Sequence, residues 1–418
     1  MARAGVARAS ARAAVRRALA DPSVRRLVGD GPVSVVAAGK AASAMAAAAG
    51  ESGLVVREVL AVGTHAGDGL APGVEWHTAG HPFPDERSMA AAGRALAVAR
   101  GVPPDGCLLV LLSGGASALL SRPCDGLTLA EKQAAIRRLM LGGADIHALN
   151  TVRKHLSAIK GGRLAAACPG RTVTLAVSDV VGDDLAVIGS GPGVPDPSTW
   201  ADVARILEPW LGDAALAPIV ALCRRGTAGE VDDTPKAGDP AMARAAALVI
   251  GSRADAVAGA AAEAASRGYH VVPIAEAVTG EARDAAPAWL RDAAARAAGV
   301  PGPVAVISGG ETTVRVTGTG RGGRNQEFAL ALAGGLAALG RPAAATSVGT
   351  DGIDGPTPVA GAIADDTTTA RAAAAGLAPP ETYLDRNDSY AFFQALDDLI
   401  ETGPTDTNVG DLQILLIS

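Results

Sequence analysis

"VSVVAAGKAASAMA" occupies residues 33–46. Six small or β-branched residues, all apolar but Ser34, stop at Gly39-Lys40, and an alanine-rich helical pattern follows. A buried strand that ends on glycine and turns into a helix is the repeating unit of an α/β layer. The same punctuation recurs along the chain. "CLLVLL" (107–112) stops at Ser113-Gly114-Gly115, and "TVTLAV" (172–177) stops at Ser178-Asp179. "ALVIG" (247–251) stops at Ser252, "VAVIS" (304–308) at Gly309-Gly310-Glu311, and "AATSVG" (344–349) at Thr350-Asp351-Gly352. Most of these runs are followed by a helical pattern, so the fold class is α/β with largely parallel sheets. Ligands of such sheets bind outside the carboxyl ends of the strands. The polar residues just named are therefore expected on one side.

Bulk properties narrow the function classes. The 418 residues allow two or three domains, and 49% apolar against 19% charged residues describes a folded protein. A net charge of -6 offers no basic face to nucleic acid. No apolar run reaches the roughly 18 residues of a membrane span. Cys107, Cys124, Cys168 and Cys223 are far apart with no CxxC pair, which argues against a zinc ribbon or a disulfide framework and for a reducing cytoplasm. The arginine-rich start, "MARAGVARASARAAVRRALADP" (1–22), has the composition of a transit peptide. It also reads as an amphipathic helix ending near Asp21-Pro22, with Val6, Val15 and Leu19 on one stripe, and that reading is preferred. The Pro-, Gly- and Asp-containing stretch 226–240 is the expected boundary. It separates domains at 1–235 and 241–418, the final segment of the second packing back on the first.

Only five of the basic residues are lysine, against 32 arginines. Lysines that persist in so biased a chain are enriched where a compact ammonium is needed. Lys40 would sit at a strand end beside a helix N-terminus, although "AAGKAA" lacks the glycine and the Ser/Thr of a Walker A loop. "LSGGASALL" (112–120) sets Ser113, Gly114, Gly115 and Ser117 between strand and helix, as a nest for phosphate or carboxylate. A nucleophilic Ser117 is the rival, but the second glycine of a G-x-S-x-G elbow is missing. "SDVVGDDLAVIGSGPGVPDP" (178–197) brings Asp179, Asp183 and Asp184 near Gly189, Ser190 and Gly191, a set of hard oxygens suited to Mg²⁺ or simply to Asx turns. Asp351 and Asp354 form a second such set. The histidines show no metal spacing; His65, His77 and His81 come nearest.

"GTGRGGRNQEFALAL" (318–332) contains GxGxxG after a strand-like "TTVRV" and before a helix. That is the layout of a dinucleotide cradle. The preceding strand alternates instead of being buried on both faces, and Arg321, Arg324 and Asn325 crowd the place where a pyrophosphate needs bare backbone. An oxyanion site at the helix start, with two fixed positive charges, fits better. A solvated glycine turn before a capped helix fits equally.

Taken together, "AAGKAA", "AGHPFPDE", "LLSGGASALL", "LNTVRKHLSAIKGGRLA", "SDVVGDDLAVIGSGPGVPDP", "GRGGRNQEFALAL", "VGTDGIDGPTPVAGAIAD", "NDSYAFF" and "TGPTDTNVGD" resemble the glycerate 2-kinase family, whose C-terminal half is a MOFRL domain and whose members are often labelled hydroxypyruvate reductase. The resemblance covers nearly the whole chain. It implies ATP- and Mg²⁺-dependent phosphorylation of D-glycerate at its 2-hydroxyl by a cytoplasmic enzyme with small-molecule partners and a homodimer as one arrangement. It implies two different α/β/α domains, an N-terminal Rossmann-like one with a mostly parallel sheet and a smaller one with a mixed sheet, with the site in the cleft between them. The family's proposed active-site lysine and arginine fall on Lys40 and Arg324, one from each domain, which makes activity depend on domain closure. Asp351 is a further candidate for base or metal. Ser113, Gly114, Gly115, Ser117, Gly189, Ser190, Gly191, Gly322, Gly323 and Asn325 are assigned to the nucleotide. Arg153, Lys154, Lys160, Glu311 and Asn408 are assigned to substrate, and Asp179 and Asp184 to the metal. Ala116 and Asp406 depart from the family pattern and bear on substrate affinity. The alternatives are an NAD(P)H-dependent hydroxypyruvate reductase, a non-catalytic binder of small anions, and a kinase for tartronate or tartrate.

Overall fold

In the computed structural model, which describes residues 1–66 and 70–418, the chain divides into two compact units. One is Ala11–Ile250; the other joins Met1–Ser10 to Gly251–Ser418.

The first unit is built on strands β1 (Val33–Ala38), β2 (Val56–Gly63), β3 (Val74–Thr78), β4 (Cys107–Leu112), β5 (Arg171–Val177) and β6 (Ala245–Gly251), in the order β3-β2-β1-β4-β5-β6. The β1/β2, β2/β3, β1/β4 and β4/β5 pairs are parallel. This is the Rossmann order, and it reverses between β1 and β4. Every residue of β1 and β4 is buried, which is what the continuous apolar runs require of strands covered on both faces. Helix Glu86–Arg100 covers one face. It starts on a capping box between Asp85 and Ser88 and buries Ala91, Ala92, Ala95 and Ala99 against Val36, Val110 and Leu112. Alanines let the helix backbone lie close to the sheet. A separate helical core lies beyond the strands. Helices Leu129–Leu141, Ile146–His155, Trp200–Leu207 and Ala217–Thr227 enclose Leu139, Leu149, Val152, Trp200 and Ile219, with the His155 ring edge-on to Trp200 at 4.9 Å.

The second unit holds a mixed sheet. Its strands are β7 (His270–Pro273), β8 (Val278–Glu281), β9 (Val304–Thr313), β10 (Ala343–Gly349), β11 (Gly361–Asp365), β12 (Leu399–Ile400) and β13 (Asp411–Ile417). The order is β12-β11-β10-β13-β9-β7, and β8 pairs with the far half of β9. β13 runs antiparallel to both β9 and β10, whereas β7 and β8 run parallel to β9. Helices Ala282–Ala297 and Arg324–Ala338 pack on it through Trp289 and Phe328, whose rings meet edge-on at 5.6 Å.

Four expectations change. The division falls at Gly251, not within 226–240, because residues 245–250 supply β6 to the first sheet. The final segment is β13, a central strand of its own unit's sheet, so its packing is within that unit. The strand expected over "TTVRV" ends at Thr313, and Val316 is 72% exposed. The N-terminal helix is two helices, Ala2–Arg8 and Ala11–Ala20, and Asp21 caps a third by accepting the Ser23 N–H. Among the described residues no helix is long and apolar enough to cross a membrane.

Helix Ala2–Arg8 lies against helix Arg253–Ser266 at a glycine crossing. A Cβ on Gly259 would stand 2.6 Å from the Ala4 carbonyl oxygen and 3.0 Å from Gly5 Cα, and one on Gly5 would stand 2.7 Å from the Ala256 carbonyl oxygen. The glycines serve close approach here, not unusual torsion. Gly259→Leu should lower stability by about 1–3 kcal/mol, the usual cost of overpacking, as measured by chemical denaturation.

Candidate active site

The reversal of strand order leaves β1 and β4 side by side with their carboxyl ends diverging, and that is where the first unit gathers its chemistry. Gly39 follows β1 with φ +129°, and a Cβ there would fall 2.1 Å from the Ser113 Oγ. Only glycine fits. Ser113 follows β4, is fully buried, and accepts the Ala41 N–H at 3.0 Å. The Lys40 N–H donates to the Gly114 carbonyl at 2.9 Å. Lys40 is thereby held between two strand ends, half-buried. Gly115 has φ +88°, and a Cβ on it would meet the His81 ring at 3.0 Å and Lys40 Cγ at 3.7 Å. The imidazole and the lysine stem therefore both lie over a bare Cα. His81 has no metal spacing and no helix periodicity; only its place in "AGHPFPDE" marked it.

Ser117 is the second residue of the short helix Ala116–Leu119 and is half-buried. Its hydroxyl meets Ser190 Oγ at 2.9 Å and Lys160 Nζ at 3.1 Å. Lys160 also donates to the carbonyls of Ser117 (2.7 Å) and Gly189 (3.4 Å). Ser190 is fully buried with φ +61°, and its N–H and that of Gly191 donate to Val187 and Ile188. The Gly189-Ser190-Gly191 turn thus supports Ser117 and Lys160 from behind, instead of offering those two amides to a nucleotide. Of the cations assigned to a substrate carboxylate, Lys154 is buried against Asp196 at 3.3 Å, and Arg153 lies 3.9 Å from the Met140 sulfur. Asp179 follows β5, Asp183 has φ +55°, and Asp184 Oδ1 accepts the Ala186 N–H at 2.8 Å. Among the described residues no group of three or more His, Cys, Asp or Glu forms a metal cage.

In the second unit the glycine stretch is filled by the protein itself. Cβ atoms on Gly318, Gly320, Gly322 and Gly323 would strike Arg386, Asp388, Ser389 and Asp354. The N–H groups of Thr317 and Gly318 donate to Asn387 Oδ1, that of Gly320 to Arg386, and that of Arg321 to Asp388. Gly318, Gly320 and Gly322 make room for the segment 386–389, and Gly323 for Asp354. Arg321 stacks on the Tyr390 ring at 4.6 Å. Helix Arg324–Ala338 then starts with its amides already capped. Asp354 accepts Asn325 N and Nδ2 on one oxygen, and Gln326 N and Nε2 on the other. Asn325 is buried and also bonds Asp411 and Ser347, so its side chain belongs to this network and is not presented to a ligand.

Arg324 is gripped bidentately by Asp411 at 2.8–3.1 Å, and its remaining terminal nitrogen meets Glu311 at 3.0 Å. Burial opposes the charge on Arg324, but the Asp411 carboxylate outweighs it and raises the guanidinium's hold on its proton. Asp411 is fully buried, and burial pushes its carboxyl up against the pull of Arg324. Asp351 lies in the turn after β10, where Oδ1 accepts the Ile353 N–H at 3.1 Å; Asn408 is buried just before β13.

Burial lifts the Asp354 carboxyl to about 6, against the hydrogen bonds from Asn325 and Gln326. A folded pKa above the unfolded value means stability from this group is full near pH 4 and is lost as pH rises through 6. The wild-type advantage over Asp354→Asn should therefore grow, by up to ~3 kcal/mol, as pH falls from 7 to 4. Urea unfolding of both proteins at each pH measures it.

Residues 1–221 match the family described as a domain of unknown function (DUF4147), and residues 304–411 match the MOFRL family. A protein of Agrobacterium vitis named as a hydroxypyruvate reductase is 42% identical over 354 residues, covering 82% of this chain and 77% of that one. The D-glycerate 2-kinase of Thermotoga maritima is 38% identical over 347 residues, covering 82% and 80%. The crystal structure of glycerate kinase from T. maritima superimposes with a TM-score of 0.88 at 36% identity, covering 100% of this chain and 97% of that one. With both family regions in this order and a glycerate kinase sharing the whole fold, the chain belongs to the glycerate 2-kinase family.

Proposed function

We propose that this protein transfers the terminal phosphoryl group of ATP to the 2-hydroxyl of D-glycerate, giving 2-phosphoglycerate and ADP. The observation that carries the reading is Lys40. It stands at the β1/β4 reversal, anchored through its own N–H, with its stem over the bare Cα of Gly115. Phosphoryl transfer asks little covalent chemistry of a protein; it asks for alignment and for positive charge on the moving group. A lysine fixed at a strand end, beside a glycine-serine loop that leaves space, supplies both. Arg324 is the second cation. The Asp411 clamp fixes the plane of its guanidinium, so little ordering cost remains when an anion arrives.

Mg²⁺ usually takes one or two protein carboxylates and completes its shell with waters and phosphate oxygens. The exposed Asp179–Asp184 loop after β5 fits that demand without a cage, so Asp179 and Asp184 would hold the ion. When bound, Mg²⁺ would offset charge on the nucleotide phosphates. The carboxylate of glycerate needs a cation of its own. Arg153 is the candidate left by the pairing of Lys154 with Asp196. Asp351, beside the Gly352 turn, remains a candidate base.

The reductase reading loses its cradle. Gly318, Gly320 and Gly323 are covered by the protein's own chain, and most amides of that stretch are already bonded within it. A cytoplasmic setting fits the cysteines, which are all free.

Incubation with ATP, Mg²⁺ and D-glycerate, followed by phosphorus NMR, should show 2-phosphoglycerate and ADP. Exclusive 3-phosphoglycerate would overturn the regiochemistry, and NADH oxidation with hydroxypyruvate but no ADP would select the reductase. Lys40→Ala and Arg324→Ala should each lower kcat on the order of 10³-fold, the scale of a lost phosphoryl clamp. Near-normal turnover in Lys40→Ala removes that residue from the mechanism.

A further inference from the structure

Lys160 is among the largest fully buried side chains of the described residues, and it carries an amine. Its Nζ touches three oxygens: the carbonyls of Ser117 and Gly189 and the hydroxyl of Ser117. None of them is a carboxylate. A buried ammonium normally has a carboxylate partner. A neutral amine needs none, having two hydrogens to donate and one lone pair to fill. Nζ stands within donating distance of all three oxygens, and the hydroxyl can also turn to donate. In the neutral state two N–H bonds would go to the carbonyls and the lone pair would accept the Ser117 O–H. The charged groups around Lys160 favour the same state. Lys132 on helix Leu129–Leu141, whose own ammonium burial pushes down to about 7, and Arg153 on helix Ile146–His155 both oppose a charge on Lys160, and the nearby Asp196 carboxylate is engaged by Lys154 and Ser198. Above the loop lie Lys40 and His81. Burial holds the Lys160 ammonium well below the usual lysine range, and Lys132 and Arg153 push the same way.

Ser117 is also distinct among the hydroxyls of this site. Ser113 and Ser190 are fully buried, and Ser117 alone is half-exposed, two residues beyond the bare Cα of Gly115. Ser190 backs it at 2.9 Å and reaches Asn150 Oδ1 at 3.4 Å. Ser117 thus has one face to the site and one to an amine. We propose that Ser117 and Lys160 form a proton-accepting pair for the alcohol that becomes phosphorylated, an inference that rests on the kinase reading above. The Ser117 oxygen takes the proton of the substrate hydroxyl while its own hydrogen passes to Lys160 Nζ. The substrate oxygen bonds to phosphorus, the bond to the bridging oxygen of the nucleotide breaks, and that electron pair leaves with ADP. Lys160 returns the proton to solvent through Ser117 once product has left. Ser117 is the catalytic residue of the pair, and Lys160 acts through it.

The scarcity of lysine makes the test direct. Full-length protein labelled with ¹³C at lysine Cε has five signals, from Lys40, Lys132, Lys154, Lys160 and Lys236. Loss of one in Lys160→Arg assigns that residue. Its signal should titrate well below the ordinary lysine value of about 10.4, and Ser117→Ala should shift the midpoint. In steady-state assays with ATP and D-glycerate, wild-type kcat should rise with pH along the neutral fraction of Lys160. Ser117→Ala should lose on the order of 10²–10⁴ in kcat, with KM within threefold. Ser117→Thr should recover part of it, and Lys160→Arg should lose the acid limb. A Lys160 signal that titrates as an ordinary lysine overturns the pair, as does Ser117→Ala with kcat within threefold of wild type. A wild-type protein that makes no phosphoglycerate overturns the kinase reading and the alcohol with it. The two failures are separate, because the lysine titration needs no turnover.

Discussion

The hydrogen bond from the Ala41 N–H to the Ser113 hydroxyl joins the two strand ends at which the first sheet reverses its order. It is short-range, buried and sterically exclusive, since any side chain at residue 39 would displace it. From it follow the turn that Gly39 makes, the position of Lys40 and the open surface at Gly115. Parallel strands alone bring carboxyl ends to one edge. They do not decide which loop is held rigidly against which. A buried hydroxyl between two backbones does, because leaving either polar group unpaired costs more than the bond itself contributes.

The two units treat polar groups in opposite ways. In the first, the loop after β4 leaves a bare Cα beneath a lysine and a histidine. In the second, the start of the Arg324 helix is closed by Asp354 and Asp411, and the amides that could have met an anion are bonded inside the protein. What the second unit presents is a guanidinium of fixed orientation, 31% exposed, not a ring of amides. Fixing that orientation requires carboxylates in a buried place. The network tolerates them because each one accepts several N–H bonds.

Much of this was legible. Runs such as "VSVVAA" and "CLLVLL" can only be strands covered on both faces, and the residues that end them do converge. Lys40 was marked by rarity and by its place after a strand. Other features lay beyond pattern. "TTVRV" has β-prone residues but no neighbour to pair with past Thr313, so pairing geometry, not propensity, ended the strand. Helical periodicity runs through Arg8 and Ala11 alike, yet the chain forms two helices, Ala2–Arg8 and Ala11–Ala20. The glycines at 318–323 signalled close approach correctly. Sequence could not tell whether the approaching atoms would be a ligand's or those of Asp354 and the segment 386–389. The partners of Arg324, Asn325 and Lys160 are distant in sequence, and a single chain carries no trace of such pairings.

The central position of β13 has a consequence for how the chain is made. A ribosome releases β9 and β10 long before β13, yet in the finished sheet β13 separates them. Until β13 emerges, β9 and β10 each lack the strand that pairs with them in the finished sheet. Long-range closure of this kind folds slowly and leaves open strand edges on the way. Nascent chains stalled short of Asp411 are therefore the form of this protein most in need of a chaperone.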